Sequence, residues 1–83
     1  MEPLTIETIY HTCATRVVKI SGFTEDELKY LNSLGYKEFK EAVLEALDKR
    51  NNGQGKRWKF GYGVFMMWIS QNAVIAEIGK SCD

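Results

Sequence analysis

The sequence predicts a mainly α fold, a compact bundle of about four helices in a single domain that spans residues 1–83. Three features support this prediction: apolar residues at helical spacing near the N-terminus, a helix-capping signature around residue 24, and an amphipathic stretch that ends at residue 50. A chain of 83 residues has room for one domain with a thin core. Its 45% hydrophobic and 27% charged residues are typical of globular proteins and argue against disorder.

The first predicted helix covers about Thr5 to Ile20. Thr5 is a suitable N-cap, and Ser21-Gly22 supplies a stop. The apolar residues between them recur at spacings of three and four, which places them on one helical face: Ile6, Ile9, Cys13, Val17 and Ile20. The segment is also rich in β-branched residues, so a strand is the alternative.

The second predicted helix has the clearest local signal in the chain. Thr24 and Glu27 have the spacing of a capping box, and Phe23 and Leu28 have that of a hydrophobic staple. We expect this helix to run to about Leu34 and to stop at the next residue, a glycine.

The third predicted helix covers Lys37 to Arg50. Its apolar stripe consists of Phe39, Val43, Ala46 and Leu47, with charged residues mostly on the other side. The polar and glycine-rich segment 51–55 ends it.

The last third of the chain has two interpretations. Large residues alternate with lysine and glycine from Trp58 to Val64, as in a strand, but the chain from Val64 onward also fits a helix. We favour the helix because the run is long and contains Met and Ala, which suit helices. The alternative is an α+β fold with a C-terminal β-hairpin from residues 57–79, turning at Gln71-Asn72, where Asn-Gly would be the preferred turn.

The sequence predicts a cytoplasmic protein with reduced thiols. It has two cysteines, Cys13 and Cys82, fewer than a secreted scaffold of this size usually carries, and a pair between them is the alternative. The N-terminal segment lacks the basic and apolar regions of a signal peptide. The longest apolar run, Val64 to Ile69, is far too short to cross a bilayer, so we expect no membrane association.

No set of residues predicts catalysis. His11 and Cys13 are two residues apart, so on one helix their side chains diverge and form neither a catalytic pair nor a metal site. The spacing of the glycines matches neither a phosphate-binding loop nor a dinucleotide-binding turn. We therefore predict a protein that is not an enzyme, with no catalytic residue, no metal and no cofactor.

One segment, residues 49–62, is the candidate contact surface. It holds five of the eleven basic residues and no acid, and aromatic residues follow closely. The candidate binding residues are Lys49, Arg50, Lys56, Arg57, Trp58, Lys59, Phe60 and Tyr62. Cations interleaved with aromatics suit phosphates and unpaired bases, so nucleic-acid binding through this segment is the alternative function.

The preceding region has the opposite charge. Residues 25–48 hold seven acids and three lysines, and the acidic face of the third predicted helix consists of Glu38, Glu41, Glu45 and Asp48. Oppositely charged patches suit pairing between copies or with a protein partner. The apolar run 64–69 must be covered on all sides, which favours a core or dimer seam.

The leading functional hypothesis is a protein–protein interaction module without catalytic activity. Such a module would act as a small regulator, adaptor or inhibitor, of the kind common in phages and mobile elements. We expect a protein partner, and a homodimer or higher oligomer.

Overall fold

A four-stranded antiparallel sheet and three helices form the fold of the computed structural model, which describes residues 2–80. The elements in chain order are β1 (Thr5–His11), β2 (Thr15–Ser21), α1 (Glu25–Ser33), α2 (Tyr36–Arg50), α3 (Gln54–Phe60), β3 (Val64–Ser70) and β4 (Ala73–Gly79). The strand order β1-β2-β4-β3 places β2 and β4 in the centre and leaves β1 and β3 as edges. The fold is therefore α+β, and the predicted mainly helical bundle is wrong.

The predicted helix over Thr5 to Ile20 is replaced by the β1–β2 hairpin. Its turn is closed by Thr12, whose hydroxyl accepts hydrogen bonds from the backbone N–H groups of Ala14 and Thr15 at 3.3 and 3.1 Å. The many β-branched side chains here have restricted χ1 angles, and they pack well on a pleated sheet. The strand alternative was thus the correct one.

The helix favoured from Val64 onward is also wrong, because β3 and β4 form a hairpin that turns at Gln71-Asn72. This is the turn of the alternative interpretation, but the hairpin starts at Val64 and not at residue 57. Residues 54–60 form α3 instead, so the alternation that begins at Trp58 does not represent a strand.

The helices α1 and α2 were predicted correctly from the sequence. The Thr24 hydroxyl accepts from the Glu27 N–H at 3.1 Å, and the Glu27 carboxylate accepts from the Thr24 N–H at 2.7 Å, so the capping box is confirmed. The helix predicted from Lys37 to Arg50 is confirmed as α2, one residue longer at its start.

All three helices pack on one face of the sheet, where the core lies. The core side chains of β2 and β4 alternate along the sequence, as expected for one face of a sheet, and in β3 the bulge separates the core residues Val64 and Met67 by three positions. The core residues of the strands are Val18, Ile20, Val64, Met67, Val74, Ala76 and Ile78. The helices cover them with Leu31, Phe39, Val43, Leu44, Leu47 and Trp58. Among residues 2–80, none of the helices contributes to the opposite face of the sheet.

Cys13 is disulfide-bonded, in contrast to the reduced thiols expected from the sequence. Cys82 lies outside the described residues, and the alternative of a Cys13–Cys82 pair therefore falls outside them too. Within residues 2–80, no helix has the length and apolar character needed to cross a bilayer. The cytoplasmic location stays a prediction.

The β3–β4 turn offers a stabilising substitution. Gln71 has φ +55°, a left-handed conformation that costs a residue other than glycine about 1 kcal/mol. We expect Gln71→Gly to raise the free energy of unfolding by about 0.5 kcal/mol, because the greater unfolded-state entropy of glycine offsets part of the gain. Urea denaturation measures this change. The control is Asn72→Gly, at a position without positive φ, and a larger gain from this control would contradict the described turn.

Candidate interaction surface

Arg50, a candidate binding residue, lies in a packed junction. Its guanidinium donates to the Glu2 carbonyl at 2.8 Å and to the Gly22 carbonyl at 3.4 Å, and it lies 3.5 Å from a Glu27 carboxylate oxygen. The Phe23 ring centroid is 5.9 Å from its central carbon, a cation–π distance. Only 10% of the Arg50 side chain is exposed, so it joins the N-terminal segment to α1 and α2.

The polar residues that follow Arg50 also bind within the protein. The Asn51 amide accepts from the Leu4 N–H at 3.0 Å and donates to the Leu4 carbonyl at 2.8 Å. Arg57 donates to the Asn52 carbonyl at 2.8 Å and to the Gln54 amide oxygen at 3.0 Å. These side chains hold the N-terminal segment and the start of α3 in place.

The remaining candidate binding residues of the segment 49–62 differ in their exposure. Trp58 is buried in the core, while Lys56, Lys59 and Phe60 project from α3 into solvent. Lys49 pairs with Glu45 on α2 at 2.9 Å. Of the candidate binding residues, Trp58 and Arg50 are thus engaged within the protein, while Lys56, Lys59 and Phe60 remain accessible on α3.

The acidic face of α2 borders a groove of about 760 Å³ between α2, α3 and the start of β3. Glu41, Glu45 and Asp48 line this groove, together with Lys37, Lys40 and Lys59, so its charge is mixed. Glu38 is exposed on α2 outside the groove lining. Asp48 accepts the Lys56 backbone N–H at 2.6 Å in the first turn of α3, so this α2 side chain satisfies one of the backbone donors that the N-cap of α3, Gly53, leaves without a side-chain partner.

The surface that stands out is the sheet face turned away from the helices, which we call the open face. Strand register and alternation place the following residues in the middle of this face: Glu7, Tyr10, Val17, Lys19, Met66, Trp68, Ile75 and Glu77. The same register places Thr5, Thr15, Ser21, Ser70, Ala73 and Gly79 at its ends. Phe65 also lies on the open face. Its ring fills the space that a side chain at position 79 would occupy if Gly79 were another residue. Tyr62 contacts the same glycine.

The apolar residues of the open face are adjacent across the strands. Tyr10 lies opposite Val17, and Trp68 lies opposite Ile75. Ile75 is only 9% exposed yet is not part of the helix-covered core, so its neighbours on the open face cover it. Larger side chains remain accessible, with Tyr10 61% and Trp68 42% exposed.

Both edge strands carry an irregularity that adds apolar surface. In β1 the register shifts between Thr8 and Tyr10, which makes Ile9 the additional residue, and it is 51% exposed. In β3 the shift between Val64 and Met66 makes Phe65 the additional residue, 52% exposed. Such bulges often redirect side chains at the edges of sheets.

The open face carries few charges. Glu7 and Lys19 are cross-strand partners, and Glu77 lies between Val17 and Met66. Two acids and one base give this surface no positive potential. Among residues 2–80, no group of three or more His, Cys, Asp or Glu side chains is placed to hold a metal ion.

Most of this surface was not recognised in the sequence. The run 64–69 was singled out as a core or dimer seam, but Tyr10, Val17 and Ile75 were assigned to helices. The missed signal is the run of four apolar residues at the start of β4, Ala73 to Ala76, which is typical of a strand covered on both faces.

The chain matches no protein-family model, no curated protein and no solved structure.

Proposed function

We propose that this protein is a protein–protein interaction module without catalytic activity, and that the open face of its sheet is the contact surface. The observation that carries the proposal is the apolar character of a sheet face that no helix covers. In antiparallel sheets with one buried face, the other face is normally polar and solvated. Here Met66, Trp68 and Tyr10 are each more than 40% exposed on that face.

The composition of the surface suits a protein partner. Tyr, Trp, Phe and Met are the residues enriched in the centre of protein interfaces, and exposed apolar patches mark interaction sites. Trp68 and Tyr10 are aromatic anchors with a polar atom at one end, as is common among residues that dominate binding energy. Glu7, Lys19 and Glu77 supply charges among them that would select a complementary partner.

Charge favours a protein over a nucleic acid. Proteins that stack unpaired bases on aromatic side chains combine these with a positively charged groove. The open face has two acids and one lysine, so it offers little neutralisation of phosphates. The segment 49–62, proposed from the sequence for this role, has Trp58 buried and Arg50 engaged within the protein.

Partner capture from an extract of the native host at moderate salt tests the proposal. We expect Trp68→Ser and Tyr10→Ser each to weaken the captured complex about thirtyfold, the effect of removing an interface residue worth about 2 kcal/mol. Tyr10 belongs to β1 and Trp68 to β3, so loss with both variants indicates the face and not one edge.

The matched control is Phe60→Ser. Phe60 is 82% exposed, more than either open-face residue, but it lies on α3 in the segment 49–62. Unchanged capture by Phe60→Ser would support the open face. Loss of capture with Phe60→Ser alone, or a captured species that disappears after nuclease treatment, would refute the proposal. Circular dichroism of each variant confirms that it is folded.

A further inference from the structure

The two edges of the sheet differ in how they are protected against pairing with another strand. Edge strands expose unpaired N–H and C=O groups, and proteins usually guard them with charges, proline or a bulge in the strand. β1 has two of these features: the charged Glu7 near its middle and a bulge between Thr8 and Tyr10. It is poorly suited to a further strand.

β3 is the less protected edge, although Lys40 of α2 donates to the Val64 carbonyl at 3.4 Å, at the start of the strand. Its sequence, Val64–Ser70, contains no charged residue and no proline. Its bulge lies at the first residues, between Val64 and Met66, and the register from Met66 to Ser70 is regular. In an antiparallel ladder every second residue turns its N–H and C=O away from its partner strand. The regular part of β3 therefore presents a row of such groups to solvent.

The side chains along the β3 edge add apolar contact on both faces of the sheet. On the open face, Met66 is 54% and Trp68 42% exposed. On the helix side, a groove of about 270 Å³ runs between β3 and the α1–α2 junction. Its lining is mostly apolar: Leu31, Leu34, Tyr36, Phe39, Met67 and Ile69 contribute to it. An added strand would bury apolar surface on both sides.

We propose that β3 pairs with β3 of a second copy of this chain, in antiparallel orientation about a two-fold axis. This contact joins the two four-stranded sheets into one of eight strands and makes their open faces continuous. It is a contact of the sheet edge, so it goes beyond the proposed binding of another protein to the open face.

Charge favours a second copy as the occupant of this edge. In a two-fold contact each residue near the axis meets itself or a close neighbour, so a charged residue there repels its own copy. β3 meets this requirement because it is neutral along its whole length, whereas Glu7 of β1 would face a like charge. Main-chain hydrogen bonds supply the affinity in such strand additions, and the flanking side chains supply specificity.

Light scattering during size-exclusion chromatography tests the pairing. We expect the wild-type protein at micromolar concentration to have twice the chain mass of 9.5 kDa. Met66→Lys places an ammonium at the seam, where pairing would desolvate it, and should raise the dimer dissociation constant about tenfold or more. The monomer tolerates this lysine because Met66 lies opposite Glu77 on β4.

The matched control is Tyr10→Lys, which places the same charge on the open face at the other end of the sheet, opposite Val17. It should leave the dimer dissociation constant unchanged. A wild-type monomer at millimolar concentration would overturn the proposal. So would a dimer that survives Met66→Lys, or one that Tyr10→Lys also dissociates, which would indicate stacking of the open faces.

Amide hydrogen exchange of the wild-type protein gives a test that needs no variant. Above the dissociation constant, alternate amides of Met66 to Ser70 should become protected relative to a dilute sample, while those of β1 stay unchanged. Protection on β1 instead, or none on either edge, would overturn the proposal. A mixed dimer with an extended segment of another protein on β3, in place of the self-pair, would also overturn it.

Discussion

Gly55→Ala is expected to lower the free energy of unfolding by about 3 kcal/mol, among the larger effects of overpacking. Gly55 is buried where α3 crosses α2. A Cβ atom there would collide with the Leu44 carbonyl group, lying 2.8 Å from its carbon, and would stand 3.0 Å from an Asp48 carboxylate oxygen. The Leu44 carbonyl is backbone in the middle of α2, so relief requires separation of the two helices.

Urea denaturation followed by far-ultraviolet circular dichroism measures this loss. Gly63→Ala is the matched control, because a Cβ atom at Gly63 would have open space around it. Only its φ of +87° opposes a side chain, which costs about 1 kcal/mol. If Gly55→Ala were no more destabilising than Gly63→Ala, the close approach of α3 to α2 would be incorrect.

Arg50→Ala is expected to lower the free energy of unfolding by about 2 kcal/mol, in the range of hydrogen bonds made by a charged group. The substitution removes the bonds to the carbonyls of Glu2 and Gly22 and the contact with the Phe23 ring. The ion pair with Glu27 contributes little to this figure, since the carboxylate is 42% exposed and screened by water.

The neighbouring Lys49 provides the control for Arg50. Lys49 and Glu45 form an ion pair whose side chains are 64% and 65% exposed, so Lys49→Ala should change stability by less than about 0.5 kcal/mol. Thermal unfolding of both variants separates the two roles. If Arg50→Ala and Lys49→Ala were equally stable and only Arg50→Ala lost partner binding, the structural role of Arg50 would be contradicted. The binding role predicted from the sequence would then be supported.

The sequence was informative between Phe23 and Arg50, where local chemistry decides the structure. The capping box at Thr24 satisfies backbone N–H groups through residues three positions apart, so no distant contact is needed to recognise it. The amphipathic period of α2 agrees with its burial pattern, with Phe39, Val43 and Leu47 all buried.

The sheet was misread because its strands do not alternate cleanly. In β3 the bulge between Val64 and Met66 puts Val64 and Met67, three residues apart, on the same core face, which is a helical spacing. In the β1–β2 hairpin the apparent helical stripe joins residues of different environments: Ile6 faces the core, Ile9 lies in the bulge and Cys13 lies in the turn. In addition, the first four residues of β4, Ala73 to Ala76, are apolar, and such a run resembles a buried helix as much as a strand.

The accessibility of the candidate binding residues could not be predicted for a related reason. A charge count along the chain cannot show which side chains turn inward, and in the segment 49–62 Trp58 joins the core while Arg50 binds backbone carbonyls. The open face is assembled from residues far apart in sequence, such as Tyr10, Val17 and Trp68, which only the strand order brings together. That order depends on long-range pairing, which local patterns do not contain.

Hydroxyl-radical footprinting of the partner-bound protein tests the open face most directly, because it reports the exposure of single side chains. Tyr10 and Trp68 are accessible in the free chain at 61% and 42%, and Phe60 on α3 at 82%. If the open face is the contact surface, the oxidation rates of Tyr10 and Trp68 fall on binding while that of Phe60 stays the same. Protection of Phe60, with Tyr10 and Trp68 still fully reactive, would contradict it.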